Sequence, residues 1–281
     1  MRLDLSVQQI LSSTRNEAKR AIAAGLVRVN GRICEDKGHA LSPTDKVEVA
    51  TQEVERVVPQ PEIELTLLAQ GEGWIVVDKP PGMPVHPLRA GETDTVLNGV
   101  VAMFPQVQCV GEEGGLRSGI VHRLDVETSG ALAIALTDEV WRKLRLAFSN
   151  HTIRKTYLAE VSGLLKEDGK IELDLVIRRH SPAFVCAAKP DEKGARACRL
   201  SWKVREVRAS STVIEVDLDT GFLHQIRATF AHLGHPLVGD VHYGGPPAER
   251  LMLQAWKLEC EDVGMKAESS TGFSPCEIPM G

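Results

Sequence analysis

The sequence lacks any apolar run approaching the ~20 residues that a membrane-spanning helix needs, so no membrane partner is expected. Its opening residues, MRLDLSVQQIL, hold no long apolar segment followed by small residues, which argues against export and for a cytoplasmic location. Cys-x-x-Cys pairs are also missing. The six cysteines stand apart at 34, 109, 186, 198, 260 and 276, a spacing that speaks against a zinc site or a disulfide framework and fits a reducing compartment. Aromatic residues make up only 4% of the chain, with two tyrosines, Tyr157 and Tyr243, so the place of each carries weight. Positive charge is short as well. The 33 Lys and Arg face 38 Asp and Glu, a net of −5, which argues against a surface built throughout for nucleic acid.

What is present is uneven. The 281 residues suffice for two domains, and 43% hydrophobic with 25% charged residues is ordinary globular composition. Residues 1–50 carry eight Lys/Arg and six Asp/Glu, a net of +2, which leaves 25 against 32, a net of −7, for the rest. Within that acidic remainder, WRKLRLAFSNHTIRKTY (141–157) has five basic residues and no acidic one. Positive charge is local.

Residues 1–50 read as a compact module. SSTRNEAKRAIAAGLVRVNG opens on capping serines and threonine, spaces Ala18 and Ile22 for a helix, and offers Gly25 as its cap. LVRVNGRIC alternates about an Asn30-Gly31 hairpin signal. Arg15, Lys19 and Arg20 can share a helix face, with Arg28 and Arg32 on the hairpin. Taken alone, such a charge run is a solvated face. Residues 51–65, polar with two prolines, read as a linker. From residue 66 to 259, short apolar alternations separated by Gly, Pro and Asp predict strands in WIVVDK, GALAIALT, KTYLAEVSG, CRLSWKVREV and STVIEVDLD. Helices are predicted in DTVLNGVVAMF, TDEVWRKLRLAFSN and HQIRATFAHLG. This is an α+β pattern: a mostly antiparallel mixed sheet with flanking helices, plus the small N-terminal α/β module. Residues 260–281 lack periodicity and read as an irregular tail.

The candidate chemistry centres on GIVHRLDVETSG (119–130), which reads as strand, sharp polar connection, strand. An aspartate here turns a chain through its own side-chain hydrogen bonds, or serves as a nucleophile; local physics leaves both open. Arg123, two residues before Asp125, falls on its side of a regular strand and favours its ionised form, while His122 faces the other way as a structural hydrogen-bonder. His224 and His235 invite a metal reading, but no third ligand stands at suitable spacing. A glycosidase would need a second acid about 5–9 Å from the first, and Glu127 is the near candidate, with nothing to mark it.

HRLDVETSG resembles the signature of the RluA-type pseudouridine synthases, whose aspartate is the nucleophile. DKPPGMPVHP (78–87), HTIRKTYLAEVSG (151–163), TGFLHQIRATFAHLGHPLVGDVHYGG (220–245) and ERLMLQAWKLE (249–259) follow in the family's order. RNEAKRAIAAGLVRVNG, followed by KGHALSPTDKVEV, resembles the small RNA-binding module shared by a small-subunit ribosomal protein and several RNA-modifying enzymes.

The resemblance implies isomerisation of uridine to pseudouridine in structured RNA, without cofactor or metal. Large-subunit ribosomal RNA is favoured, transfer RNA is the second candidate, and a monomer is expected. Asp125 would be the nucleophile, Tyr157 would stack on the base and help remove its ring proton, and Arg227 would pair with the aspartate. Arg123, His122, Lys155, His224 and Gln225 would contact the substrate, Arg123 filling the gap left by the flipped base. Arg15, Lys19, Arg20, Arg28 and Arg32 would grip RNA backbone. Two departures stand out: Phe222 where the family usually has arginine, and Gln254 where it usually has histidine. The competing reading is a non-catalytic RNA-binding or ribosome-assembly factor on the same scaffold.

Overall fold

The computed structural model describes residues 1–11, 15–23, 25–50, 55–111 and 115–270. The expected capping residues 12–14, the start of the linker at 51–54 and the end of the tail at 271–281 lie outside the described residues, as does the Arg20 side chain. The chain divides into two compact units, Met1–Val54 and Glu55–Gly281.

The first unit packs α1 (Leu3–Leu11) and α2 (Arg15–Ala23) on a small antiparallel sheet. Its strands β1 (Val27–Val29), β2 (Arg32–Ile33) and β3 (Val47–Val49) lie in the order β2-β1-β3. Leu3, Val7, Ala18, Ile22, Val27 and Val29 form its core, one apolar stripe from each helix meeting the inward residues of β1. Gly25, at φ +71, ends α2 with the Leu26 amide donating back to the Ala21 carbonyl at 3.1 Å. Asn30 (φ 53) and Gly31 (φ 80) supply the two left-handed residues of the tight β1–β2 turn.

The second unit is built on a ten-stranded sheet. In chain order its elements are β4 (Thr66–Gly71), β5 (Trp74–Lys79), α3 (Val96–Met103), β6 (Ser129–Ala135), α4 (Asp138–Ser149), β7 (Arg154–Ser162) and β8 (Gly169–His180). They continue with β9 (Ala183–Ala187), β10 (Arg196–Val207), β11 (Ser211–Leu218), α5 (Gln225–His232), β12 (Leu253–Cys260) and β13 (Met265–Glu268). The strand order is β4-β5-β6-β12-β7-β11-β10-β8-β9, with β13 on β12; β6–β12 is a parallel pair and the other neighbours are antiparallel. The parallel contact requires a bare backbone: a Cβ on Gly130 would stand 2.2 Å from the Ala255 carbonyl oxygen.

Every residue of β5 and β6 is buried, because both faces of the sheet are covered there. Ile75, Val77, Leu132 and Ile134 meet Val96, Leu97, Val100 and Val101 of α3 on one face. Trp74, Val76, Ala131, Ala133 and Ala135 meet Val140, Leu144 and Ala147 of α4 on the other. The α3 N-terminus is closed by a reciprocal Thr95–Asn98 capping box. At the far half of the sheet, Ile226 and Phe230 of α5 pack on Ala159, Val161, Ile214, Val216 and Leu253.

Three expectations are corrected. Val57, expected in the linker, is buried in the second unit and exchanges hydrogen bonds with the Gln108 side chain at 3.3 and 2.7 Å. Residues 260–270, expected to be irregular, include β13, whose Met265 and Ala267 are buried under α4's layer; two apolar positions are too few for a visible period. The stretch before Asp125 is not a regular strand. It touches the sheet through a single bridge, Ile120 to Ile134, and runs irregularly through residues 121–125.

Candidate active site

Asp125 sits on the turn that enters β6, where the Thr128 amide donates to the Asp125 carbonyl at 3.1 Å. The turn is fastened from below by Lys79, a side chain 1% exposed at the end of β5. Its Nζ donates to the carbonyls of Pro80, Met83 and Val126 at 2.8, 2.7 and 2.8 Å, and the Gly82 amide donates to Val126 as well at 2.8 Å. The KPPG turn and the Asp125 turn are thus one hydrogen-bonded body. Burial pushes the Lys79 ammonium down to about 8, with the charges of Glu127 and Asp125 opposing.

A cavity of about 530 Å³ opens above this turn. Asp125, Tyr157 and Arg227 line it, as do Arg123, His122, Lys155, His224 and Gln225, so side chains spread over a hundred residues of sequence share one concavity. Arg227, on α5, places Nη1 3.7 Å from Asp125 Oδ2 and 3.5 Å from Glu127 Oε2. Its Nε and Nη2 are held by Asp240 at 2.7 and 2.8 Å, both partners buried. His224 Nε2 stands 3.8 Å from Asp125 Oδ2. Burial raises the Asp125 carboxyl above the ordinary value; His224 and Arg227 pull it back, Glu127 adds to the rise, and Arg123 opposes it. Tyr157 lies on β7 at the middle of the sheet, opposite Val216 and Ala255. Burial, and then the Asp125 charge, push its phenol far above the ordinary range, so it is neutral.

The other expected contacts divide. Arg123 is exposed and lies on irregular backbone, so strand alternation does not set its direction. Lys155 donates to the Thr220 carbonyl at 2.9 Å, and burial brings its ammonium down to about 8, with Asp219 opposing. His122 is braced structurally: its Nε2 accepts the Ala133 amide at 2.9 Å and its ring stacks on Phe148 with centroids 4.4 Å apart. Burial and, less, Lys155 drive it down to about 3, hence neutral. Gln225, assigned to the substrate from sequence, spends its amide on the fold. Its Oε1 accepts from Thr220 Oγ1 and the Phe222 amide at 3.0 and 3.1 Å, and its Nε2 donates to the Arg199 carbonyl at 3.1 Å. His235 is turned to the Ser162 carbonyl at 2.8 Å, and no cluster of three metal-ligating side chains occurs among the described residues.

Three further residues escaped sequence reasoning: Lys79, Asp240 and Tyr243. Each had a signal. Lys79 ends an otherwise apolar strand, Asp240 stands in the glycine-flanked GD turn, and Tyr243 is one of two tyrosines. Of the two departures, Phe222 lines the cavity whereas Gln254 does not; Gln254 Nε2 donates to Ser269 Oγ at 2.6 Å, and Ser269 Oγ donates to Asp78 Oδ1 at 2.9 Å.

The family model described as RNA pseudouridylate synthase matches residues 73–232, which hold the whole Asp125–Tyr157–Arg227 constellation. The chain belongs to this family. The synthase also carries a match to the S4 domain over residues 1–47, an RNA-binding module. It is 32% identical over 260 residues to an uncharacterized RNA pseudouridine synthase of Synechocystis, covering 92% of this chain and 79% of that one. It is 33% identical over 260 residues to the ribosomal large subunit pseudouridine synthase D of Pseudomonas aeruginosa, covering 88% and 78%. Its fold is similar to that of human RNA pseudouridylate synthase domain containing 1, with a TM-score of 0.61 at 22% identity over 81% of this chain and 88% of that one. The synthase is therefore an isomerase of the α+β class with an RNA-binding module at its N-terminus. Among the described residues no helix is long and apolar enough to cross a membrane.

Proposed function

We propose that the synthase converts specific uridines of large-subunit ribosomal RNA to pseudouridine with Asp125 as nucleophile. The observation that carries this reading is the carboxylate itself: a half-buried acid lining the cavity, faced by Arg227 at 3.7 Å and carried on a fastened turn. The target nucleotide leaves the RNA stack, at a cost of about a few kcal/mol, and enters the cavity. The bond from C1′ to N1 breaks, the uracil turns and a C1′–C5 bond forms; C5 then gives up its proton and N1 takes one, so the product is an isomer of the starting uridine. Asp125 is required charged; burial works against that form, and the charges of His224 and Arg227 favour it. Tyr157, neutral and lining the cavity, serves as the stacking surface for the turning base. Arg123, exposed at the rim, fills the gap in the RNA. Large-subunit ribosomal RNA is supported by the name of the Pseudomonas relative, and binding to RNA by the S4 module.

Pseudouridine maps of total RNA from cells with and without the protein test the target directly. A site in ribosomal RNA that disappears with the protein and returns with the wild type, but not with Asp125→Asn, is expected. Loss of sites in transfer RNA alone would overturn the ribosomal assignment.

A further inference from the structure

Both groups that face Asp125 Oδ2 from α5 converge on a single side chain, Tyr243. The Arg227 guanidinium lies 5.1 Å from the centre of the Tyr243 ring, and His224 Nδ1 lies 2.9 Å from its hydroxyl oxygen. The ring itself is packed, stacked on Phe184 with centroids 5.2 Å apart. A phenol hydroxyl has one proton to donate and two lone pairs. The Val185 amide of β9 donates to the Tyr243 oxygen at 2.9 Å, so one lone pair is already taken. The acceptor left for the hydroxyl proton is His224 Nδ1. With Nδ1 accepting, a neutral imidazole carries its own proton on Nε2, the nitrogen 3.8 Å from Asp125 Oδ2.

His224 is also held by its backbone. It occupies the N-cap of α5 at φ 50, ψ 25, a left-handed conformation that few non-glycine residues adopt, asparagine, aspartate and histidine most often among them. Such a conformation persists where surrounding contacts fix it, and functional residues are where it gathers. Burial lowers the basicity of His224, with the Asp125 charge opposing, and burial pushes the Tyr243 phenol up to about 12. Both therefore keep the protonation that the hydrogen-bond pattern requires.

We propose that Tyr243 is a positioning residue for the isomerisation: its hydroxyl fixes the His224 tautomer so that Nε2–H is aimed at the Asp125 carboxylate, while its ring seats Arg227 beside the same oxygen. This rests on the reading of Asp125 as nucleophile. The 3.8 Å approach is longer than a hydrogen bond, and contacts of this kind tighten once substrate is bound. Tyr243 makes the two partners of Asp125 act together, because one ring sets the place of both.

The test is single-turnover tritium release with enzyme in excess, using total RNA labelled with 5-tritiated uridine from cells lacking the protein. Tyr243→Phe keeps the ring and removes only the hydroxyl. Its maximal rate should fall about tenfold with half-saturating enzyme concentration unchanged, the pattern of a contact that acts on the reaction and not on RNA binding. His224→Gln, whose amide nitrogen reaches the Nε2 position, should retain more activity than His224→Asn, whose amide reaches only Nδ1. That order runs against backbone preference, since asparagine suits the left-handed conformation better than glutamine. The losses of Tyr243→Phe and His224→Asn should not multiply in the double variant. A Tyr243→Phe rate within twofold of wild type, an inverted Gln/Asn order, or multiplying losses would each overturn the proposal. Asp125→Asn runs alongside. If it retains turnover, the nucleophile assignment fails; if it is dead while Tyr243→Phe is at the wild-type rate, only the Tyr243 role fails.

Discussion

Asp240 holds Arg227 by two parallel hydrogen bonds, 2.7 Å from Nε and 2.8 Å from Nη2, and thereby leaves Nη1 to face Asp125. The fork geometry divides the guanidinium between a structural partner and a reactive one. Both members of the clamp are nearly inaccessible, at 5% and 1% exposure of the side chains. Removing one charge from such a pair leaves the other buried and undercompensated, which costs roughly 3–5 kcal/mol. Asp240→Asn should therefore lower the free energy of unfolding by that amount, read as a lower urea midpoint at constant m-value. Its single-turnover rate should fall more than tenfold, because Arg227 is no longer directed at Asp125. A stable variant with a wild-type rate would show that the clamp does not direct Arg227.

Much of this was legible in the sequence, and the rest was hidden for physical reasons. Alternation or helical period marks β5, β6, β7, β10, β11 and all three large-unit helices, because each has a face or a full buried run. β8 carries the same signal in Ile171, Leu173 and Leu175. The motif order brings Asp125, Tyr157 and Arg227 together on the page, and the cavity brings them together in space. What local pattern does not carry is the pairing of β6 with β12, two strands more than a hundred residues apart joined at Gly130 and Ala255. Nor does it show that Gln225 is consumed by Thr220, Phe222 and Arg199, or that Lys79 donates to three carbonyls. Such roles are defined by partners that only folding supplies.

Asp125 should also be a liability for stability. Burial raises its pKa in the folded chain above the unfolded value, so between the two values the folded state binds more protons. The free energy of unfolding therefore falls as pH rises through that window, and the full penalty is present above the raised folded-state value. Asp125→Asn removes it while Asp240 still neutralises Arg227. The variant should be inactive yet melt at or above the wild-type temperature at pH 7, by differential scanning fluorimetry. A clear drop in melting temperature would mean that the carboxylate stabilises the fold through Arg227 and His224.

His122 gives the opposite slope. Burial holds it down to about 3 in the folded protein, against an ordinary value of 6.5, so below 6.5 the unfolded chain takes up a proton that the folded chain refuses. Stability from this group is complete above 6.5 and is lost as pH falls toward 3, with a slope of up to about 1.4 kcal/mol per pH unit. His122→Gln keeps an acceptor for the Ala133 amide and does not titrate. Urea midpoints at pH 7.5, 6.5 and 5.5 should converge between variant and wild type as pH falls. Parallel pH curves would exclude His122 as the titrating group.

In the N-terminal unit the basic residues are not equivalent. Arg15 donates from Nε to Asp4 at 3.0 Å, and the Asp4 carboxylate is fully buried, so Arg15 is tied to the unit's own packing. Arg28 and Arg32 are exposed on the β1–β2 hairpin, and Lys19 is half-buried on α2. Reversing Arg15 would set two carboxylates against each other and unfold the unit, which makes it a poor probe of RNA contact. Lys19→Glu, Arg28→Glu and Arg32→Glu together should leave the unit folded and weaken binding to structured RNA. If each cation neutralises one phosphate, the slope of log K against log salt should flatten by about 0.7–0.9 per residue. Fluorescence anisotropy between 50 and 200 mM salt measures it. An unchanged slope in a folded triple variant would remove these three side chains from the RNA interface.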